Sequence, residues 1–387
     1  MKKIISPVVA DIPPSGIRKF FDMAAEVKGV ISLGVGEPDF VTPLHIREAA
    51  IDSLDKGYTY YTSNSGLAEL RKEIAVTMKR KQSIEYEPMS QVLVTVGGSE
   101  AIDLVLRAII SPGDEVLVVE PGFVCYKPDV VLAGGVAVPL VTKEEDEFRL
   151  KPDALRTAIT SKTKALIMSY PNNPTGAIMT KADIEAIAEV LRDTDIVVIS
   201  DEIYAELTYS NEKHFSIAEI PEMYDQTVIV SGFSKAYAMT GWRLGYACGH
   251  PDLIAAMTKI HQFAIMCAPT MSQFSAIEAL RNGDEDIAQM RKEYNYRRRV
   301  IVDGFRKMGL SCFEPLGAFY VFPCIKSTGL SSAEFCEQLL RAEKVAVVPG
   351  DAFGTCGEGF VRCSYAYSLE NISKALTKIE RFVTGLK

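Results

Sequence analysis

A chain of 387 residues, 48% hydrophobic and 24% charged, has enough material for two or three packed cores and the balance of an ordinary soluble globular protein. Its formal net charge of −8, from 42 basic and 50 acidic side chains, argues against nucleic acid or an anionic membrane as a main partner, though not against a local basic pocket. No stretch reaches transmembrane length and the first residues lack the apolar run of a signal peptide, so the expectation is a cytoplasmic protein.

The eight cysteines show no Cys-x-x-Cys spacing and read as small core residues in a reducing compartment. The four histidines, at 45, 214, 250 and 261, form no metal-ligand pattern, so no metal is expected; His250 and His261 read as helix-flank residues.

In chain order, residues 1 to about 30 read as an arm, with a turn at Pro13–Gly16 and Ser15 a candidate cap for a helix from Ile17 to Ala25. Gly34-Val35-Gly36 then suggests a dinucleotide loop, but Pro38 and Asp39 stand where a third glycine and a helix start are required, so that reading fails. A helix from His45 to Leu54, a tyrosine cluster at 58–61 and an amphipathic helix to about Lys81 follow.

From there the pattern alternates. Val92–Val96, Val116–Val119, Ala165–Met168, Ile196–Ile199, Val228–Val230 and Leu244–Cys248 are continuous apolar runs. Such runs suit strands covered on both faces, and helical stretches at 100–110, 181–191 and 253–263 separate them. Together they predict a three-layer α/β domain with a mostly parallel sheet over residues 41–285. After about residue 285 comes a long charged helix to Lys307 and then shorter elements: Phe319–Phe322, Ala333–Arg341, Val345–Val348, Phe360–Cys363 and a last helix, Ile372–Val383. These read as a smaller α+β domain over 286–387, completed by the N-terminal residues 1–40.

Several side chains at element ends suggest chemistry. Gly97-Gly98-Ser99-Glu100 joins a strand to a helix start, where free N–H groups and the helix dipole favour a phosphate; a plain connection would look the same. Phe123 can stack on a flat ring or simply fill core. Asp201 closes a strand, as a functional carboxylate or a helix cap. Lys235 follows an apolar strand among small and hydroxyl residues, with Arg243 eight positions on. That setting suits a partly desolvated amine beside a phosphate, or else a surface lysine and a solvated arginine. Arg362, in an apolar strand, needs an anion: a carboxylate held by its fork, or an edge salt bridge.

The run Gly232–Gly245 resembles the pyridoxal-phosphate lysine segment of the class I/II aminotransferases, the fold-type I family. The resemblance extends from Gly16-Ile17-Arg18-Lys19-Phe20 to the final helix, with Gly98, Asn173 (in Asn173-Pro174-Thr175-Gly176), Asp201, Tyr204, Lys235, Arg243 and Arg362 in order. It is closest to the bacterial and archaeal subgroup of aromatic and aspartate aminotransferases.

The resemblance implies pyridoxal 5'-phosphate as cofactor, covalently attached at Lys235, which then serves as general base and acid. It places the phosphate on Gly98, Ser99, the Glu100 amide, Ser234 and Arg243, and the ring against Phe123. Asp201, rather than its neighbour Glu202, would pair with the pyridine nitrogen, and Tyr204 and Asn173 would meet the phenolic oxygen. Gly36, Asn173 and Arg362 would receive the substrate carboxylate. Tyr61 would reach the cofactor phosphate of a neighbouring subunit, which makes the protein a homodimer with shared active sites.

Two positions depart from the family pattern: Gly232, where some members carry a second phosphate-binding serine, and Ser99, where some aspartate-using members carry a lysine. The implied function is transamination between an L-amino acid and a 2-oxo acid such as 2-oxoglutarate, with an aromatic donor favoured because the aromatic density at Tyr58–Tyr61 and Phe319-Tyr320 is compatible with one, though such residues are more often ordinary packing. Alternatives are an aspartate or lysine-pathway donor, a carbon–sulfur β-lyase of the same fold, and an inactive cofactor-sensing protein.

Overall fold

The computed structural model describes residues 4–14 and 16–386; Ser15, the candidate helix cap, lies outside them. The strands are β1 (Ile31–Ser32), β2 (Val92–Thr95), β3 (Glu115–Glu120), β4 (Val136–Val141), β5 (Thr163–Ser169), β6 (Val197–Asp201), β7 (Thr227–Gly232) and β8 (Gly245–Cys248). Four short ones follow: β9 (Tyr320–Val321), β10 (Val345–Ala346), β11 (Val348–Pro349) and β12 (Val361–Ser364). β2 to β8 form one sheet in the order β2-β8-β7-β6-β5-β3-β4. All its neighbours pair in parallel except β8, which runs antiparallel to both β2 and β7.

The apolar runs are continuous because both sheet faces are covered. Val116, Val118, Ile167 and Val228 pack on one side with Ile102, Val105 and Ile254 from helices Gly97–Ile109 and Pro251–Ala264. Their strand neighbours Leu117, Val119, Leu166 and Met168 point the other way, onto Ile184, Ile187 and Leu191 of Lys181–Leu191. This is the period-2 alternation of a strand buried twice. A third cluster joins Val92, Val94 and Tyr246 to Ile74, Met78, Ile277 and Leu280.

Two elements had no clear signal in the sequence. β4 is a half-exposed edge strand whose apolar run, Val136–Val141, is interrupted by Pro139, a residue that argues against a strand except at a sheet edge. Helix Thr270–Asn282 buries Ser272, Gln273 and Ser275 on its inner face, which erases the apolar period.

Most C-terminal elements share one core cluster, which also takes in Leu33, Tyr204, Leu207 and Ala238, while Phe322, Val348, Phe353 and Phe360 pack with Leu117 and Leu166 of the large sheet. β11-β12-β9 is a small antiparallel sheet, and β1 returns from the N-terminus to pair with β10. The run Val345–Val348, expected as one strand, divides at Val347 because β10 pairs with β1 and β11 with β12. The helix Leu369–Gly385 buries Ile372, Leu376, Ile379 and Val383 along one stripe, against Phe305 and Phe335. Each such side chain contributes about 1.5–3 kcal/mol. Among the described residues no helix is long and apolar enough to cross a membrane.

β2, β5, β6 and β7 run the same way, so their carboxyl ends converge. The turn at Gly97, the Asn173 turn, Asp201 and the Ser234-Lys235 pair all follow from those ends.

Candidate active site

These ends open on a cavity of about 370 Å³. Its lining includes Gly36, Gly98, Ser99, Phe123, Asn173, Asp201, Tyr204, Ser234, Lys235, Arg243 and Arg362, every expected site residue except Glu100 and Tyr61.

Lys235 points its Nζ at the Gly36 carbonyl, 2.7 Å away, over the rings of Phe319 and Tyr204 at 5.8 and 5.9 Å. Burial, reinforced by the Arg362 charge, lowers its pKa from 10.5 to about 8. At neutral pH roughly a tenth of the amine is therefore uncharged, hundreds of times the share of an ordinary lysine.

Asp201 is buried and accepts from the Tyr126 hydroxyl at 2.6 Å and the Ile203 N–H at 3.2 Å. Burial pushes its carboxyl up, against those hydrogen bonds and the more distant Lys235 charge. Adjacent Glu202 turns to the other side of the strand. Its carboxylate accepts from Ser200, Ser216 and Gln82 and pairs with His214 at 2.9 Å, so it does not face the cavity.

Arg362 reaches the cavity from β12. One Nη donates to Asn173 Oδ1 at 2.9 Å and the other to the Gly34 carbonyl at 2.5 Å. The guanidinium lies between the rings of Tyr320 and Phe353, at 4.5 and 4.8 Å. Its Nε is buried and has no hydrogen-bond partner among the described residues.

The glycine turn is held by close backbone packing. Gly97 adopts a φ of +79°, and a Cβ there would fall 2.7 Å from Arg243 Nη2. A Cβ on Gly245 would come within 2.6 Å of the Gly97 carbonyl carbon and the Gly98 nitrogen. Gly232 faces Gly245 across the β7–β8 pair, and its Cβ would sit 2.9 Å from Gly245 Cα and the Leu244 oxygen. The chain therefore has no room for a serine at 232.

Glu100 does not present its side chain to the cavity. One carboxylate oxygen accepts the Val96 N–H and the other meets His261 Nδ1 at 2.7 Å. His261 is thus fully buried inside its helix rather than a flanking residue, whereas His250 does cap the helix start. Tyr61 is 80% exposed and outside the cavity of its own chain.

Ile17, Ile102, Tyr126, Ser169, Ile203 and Tyr320 also line the cavity and were not anticipated. Tyr126 lies three residues after Phe123 at a helix start, a spacing that could have revealed it. Tyr320 gave only the signal of aromatic density at Phe319-Tyr320, and an aromatic in an apolar strand more often reads as core.

The family model for aminotransferase class I and II matches residues 28–379. A putative aminotransferase, YugH, of Bacillus subtilis (strain 168) is 52% identical over 383 residues, 99% of each chain. An aspartate aminotransferase of Pyrococcus abyssi is 47% identical over 378 residues, 97% of each chain. The crystal structure of an aromatic aminotransferase from Pyrococcus horikoshii OT3 superposes with a TM-score of 0.91 at 45% identity, covering 95% of this chain and 99% of the other.

Proposed function

This chain belongs to the class I and II aminotransferases, pyridoxal-phosphate enzymes that exchange amino groups between amino acids and 2-oxo acids, and from that premise we propose an aromatic L-amino acid as its favoured donor and 2-oxoglutarate as its acceptor. The observation that carries the chemistry is a lysine of pKa about 8 sharing one cavity with a buried aspartate and a buried arginine. The similar proteins bear both aspartate and aromatic names, so the choice of donor rests on the lining. Ile17, Ile102, Ile203 and Tyr320 make much of it apolar, and Ser99 adds no charge for a distal carboxylate.

The residues present fit the cofactor. Lys235 is the attachment point; the Gly98, Ser99 and Glu100 turn, Ser234 and Arg243 would take the phosphate, and Phe123 the ring face. Asp201, a buried carboxylate with no salt-bridge partner among the described residues, suits a protonated pyridine nitrogen. Tyr204 and Asn173 would serve the phenolic oxygen. When bound, pyridoxal phosphate supplies an electron sink for negative charge at the amino acid's Cα.

Arg362 would hold the substrate α-carboxylate with the edge that carries its unpartnered Nε, beside Asn173 and the Gly36 backbone. The Lys235 amine would take the Cα proton and return it as general base and then acid, a task its lowered pKa suits. Arg362 fixes which Cα bond faces Lys235, so proton transfer rather than decarboxylation follows.

The reading includes a homodimer in which Tyr61 serves the partner's cofactor. Exposed Val41, Leu44, Ile51, Tyr60, Tyr61 and Phe263 supply apolar surface for such a contact. It also includes a cytoplasmic location, in keeping with eight free cysteines, and a division into residues 1–40, 41–285 and 286–387.

Borohydride reduction of the cofactor-loaded protein, then peptide mass mapping, should find the reduced cofactor on Lys235; an unmodified Lys235 peptide would end the account. A donor panel of phenylalanine, tyrosine, aspartate, alanine and methionine with 2-oxoglutarate tests the substrate. A clear preference for aspartate would overturn the aromatic assignment.

A further inference from the structure

Tyr320 touches three separate parts of the site. It is fixed in β9, which pairs with β12 so that Tyr320 lies opposite Ser364, and its side chain is 1% exposed. Its hydroxyl is 2.8 Å from that of Tyr204. One face of its ring carries the Arg362 guanidinium at 4.5 Å. Its hydroxyl also occupies the place of a side chain at residue 36, since a Cβ on Gly36 would lie 2.1 Å from it. The Gly36 carbonyl in turn accepts from Lys235.

The two phenols have one proton each, and burial raises both pKa values, so both stay protonated at neutral pH. A hydroxyl pair of this kind has two settings. If Tyr204 donates to Tyr320, it has nothing left to donate into the cavity. If Tyr320 donates to Tyr204, the Tyr204 proton is free for the cavity, and the received bond makes it a stronger donor.

We propose that Tyr320 is a positioning residue: its hydroxyl donates to the Tyr204 oxygen and commits the Tyr204 proton to the cavity, while its ring seats the Arg362 guanidinium. The inference rests on the reading that Tyr204 meets the cofactor's phenolic oxygen. It ties the group that sets the cofactor's protonation to the group that receives the carboxylate, through one side chain on the C-terminal sheet.

The test compares wild type, Tyr204→Phe, Tyr320→Phe, the double variant and Tyr320→Leu, each loaded with pyridoxal phosphate and checked for folding by thermal melting. The readout is the pH midpoint of the bound cofactor's visible absorbance. Tyr204→Phe should raise that midpoint by about one pH unit and Tyr320→Phe by about half as much, with no further rise in the double variant. The KM for the amino donor should stay within about twofold in Tyr320→Phe, which keeps the ring, and rise about tenfold in Tyr320→Leu.

An unmoved midpoint in Tyr320→Phe, or additive shifts in the double variant, overturns the proposal while leaving the Tyr204 reading intact. An unmoved midpoint in Tyr204→Phe overturns both. If Tyr320→Leu folds with an unchanged KM, the ring has no seating role and the proposal fails on that count; if it does not fold, the phenylalanine series decides.

Discussion

The desolvation that makes Lys235 reactive should also make the cofactor-free protein less stable, and Lys235→Met isolates that cost. The amine's pKa falls from 10.5 to about 8 in the folded state. At about 1.4 kcal/mol per tenfold change in acidity, this is a folding penalty on the order of 3 kcal/mol. Below pH 8 both folded and unfolded chains carry the proton, and the folded state bears the full penalty. Between pH 8 and 10.5 only the unfolded chain retains the proton, so stability rises with pH, and above that range the penalty is gone.

Methionine has a similar length and no charge. It loses the 2.7 Å bond to the Gly36 carbonyl, worth about 1 kcal/mol. Cofactor-free Lys235→Met should therefore be about 2 kcal/mol more stable than wild type at pH 7 and slightly less stable by pH 10.5. Urea unfolding of both proteins at several pH values measures the difference, in which titrating groups that do not feel the Lys235 charge cancel; Asp201, whose carboxyl that charge holds down, titrates in the acid range, away from the pH 8–10.5 window. A difference that does not change with pH, or a wild type more stable than the variant at pH 7, would refute the reasoning.

Arg362→Lys replaces a fork anchored on Asn173 and Gly34 with a single ammonium, and kcat/KM should fall about 10²-fold; steady-state kinetics measures this, with borohydride labelling of Lys235 unchanged. Gly232→Ser forces a side chain against the Gly245 and Leu244 backbone and should cost about 1–3 kcal/mol, seen as a lower urea midpoint. His214→Ala leaves the buried Glu202 carboxylate without its cation and should cost about 3 kcal/mol near pH 6. Against the cost of burial, Glu202 raises the His214 pKa, so this pair's contribution should fade as pH rises through that raised value, which unfolding of both proteins across pH 5–9 would follow.

What the sequence made legible depended on whether the signal was local. Lys181–Leu191 can be read off its periodicity, and the sheet strands off apolar runs that two covering layers require. Gly98, Asn173, Asp201 and Lys235 sit at strand ends within short recognisable runs, and the fold brings them together because parallel strands share a direction. Tyr126 and Tyr320 matter through partners 75 and 116 residues away, a relation no local window contains. The partner of the Glu100 carboxylate is equally distant, since His261, 161 residues on, takes it and leaves the backbone amide as what this position offers a phosphate.

Gly232 shows how such a distant constraint reshapes a motif. Taken alone, the missing serine is the loss of one phosphate contact. In the fold, β8 runs antiparallel between β2 and β7, and the backbones of Gly97, Gly98, Gly232 and Gly245 meet at its first residue. Widening β7 from β8 to admit a hydroxyl would push Gly245 toward the Gly97–Gly98 turn, which has no space to yield. The turn keeps its position because residue 232 has no side chain. On the proposed reading, phosphate anchoring then falls to the turn's own amides, Ser234 and Arg243, and a serine restored at 232 should weaken cofactor binding rather than strengthen it.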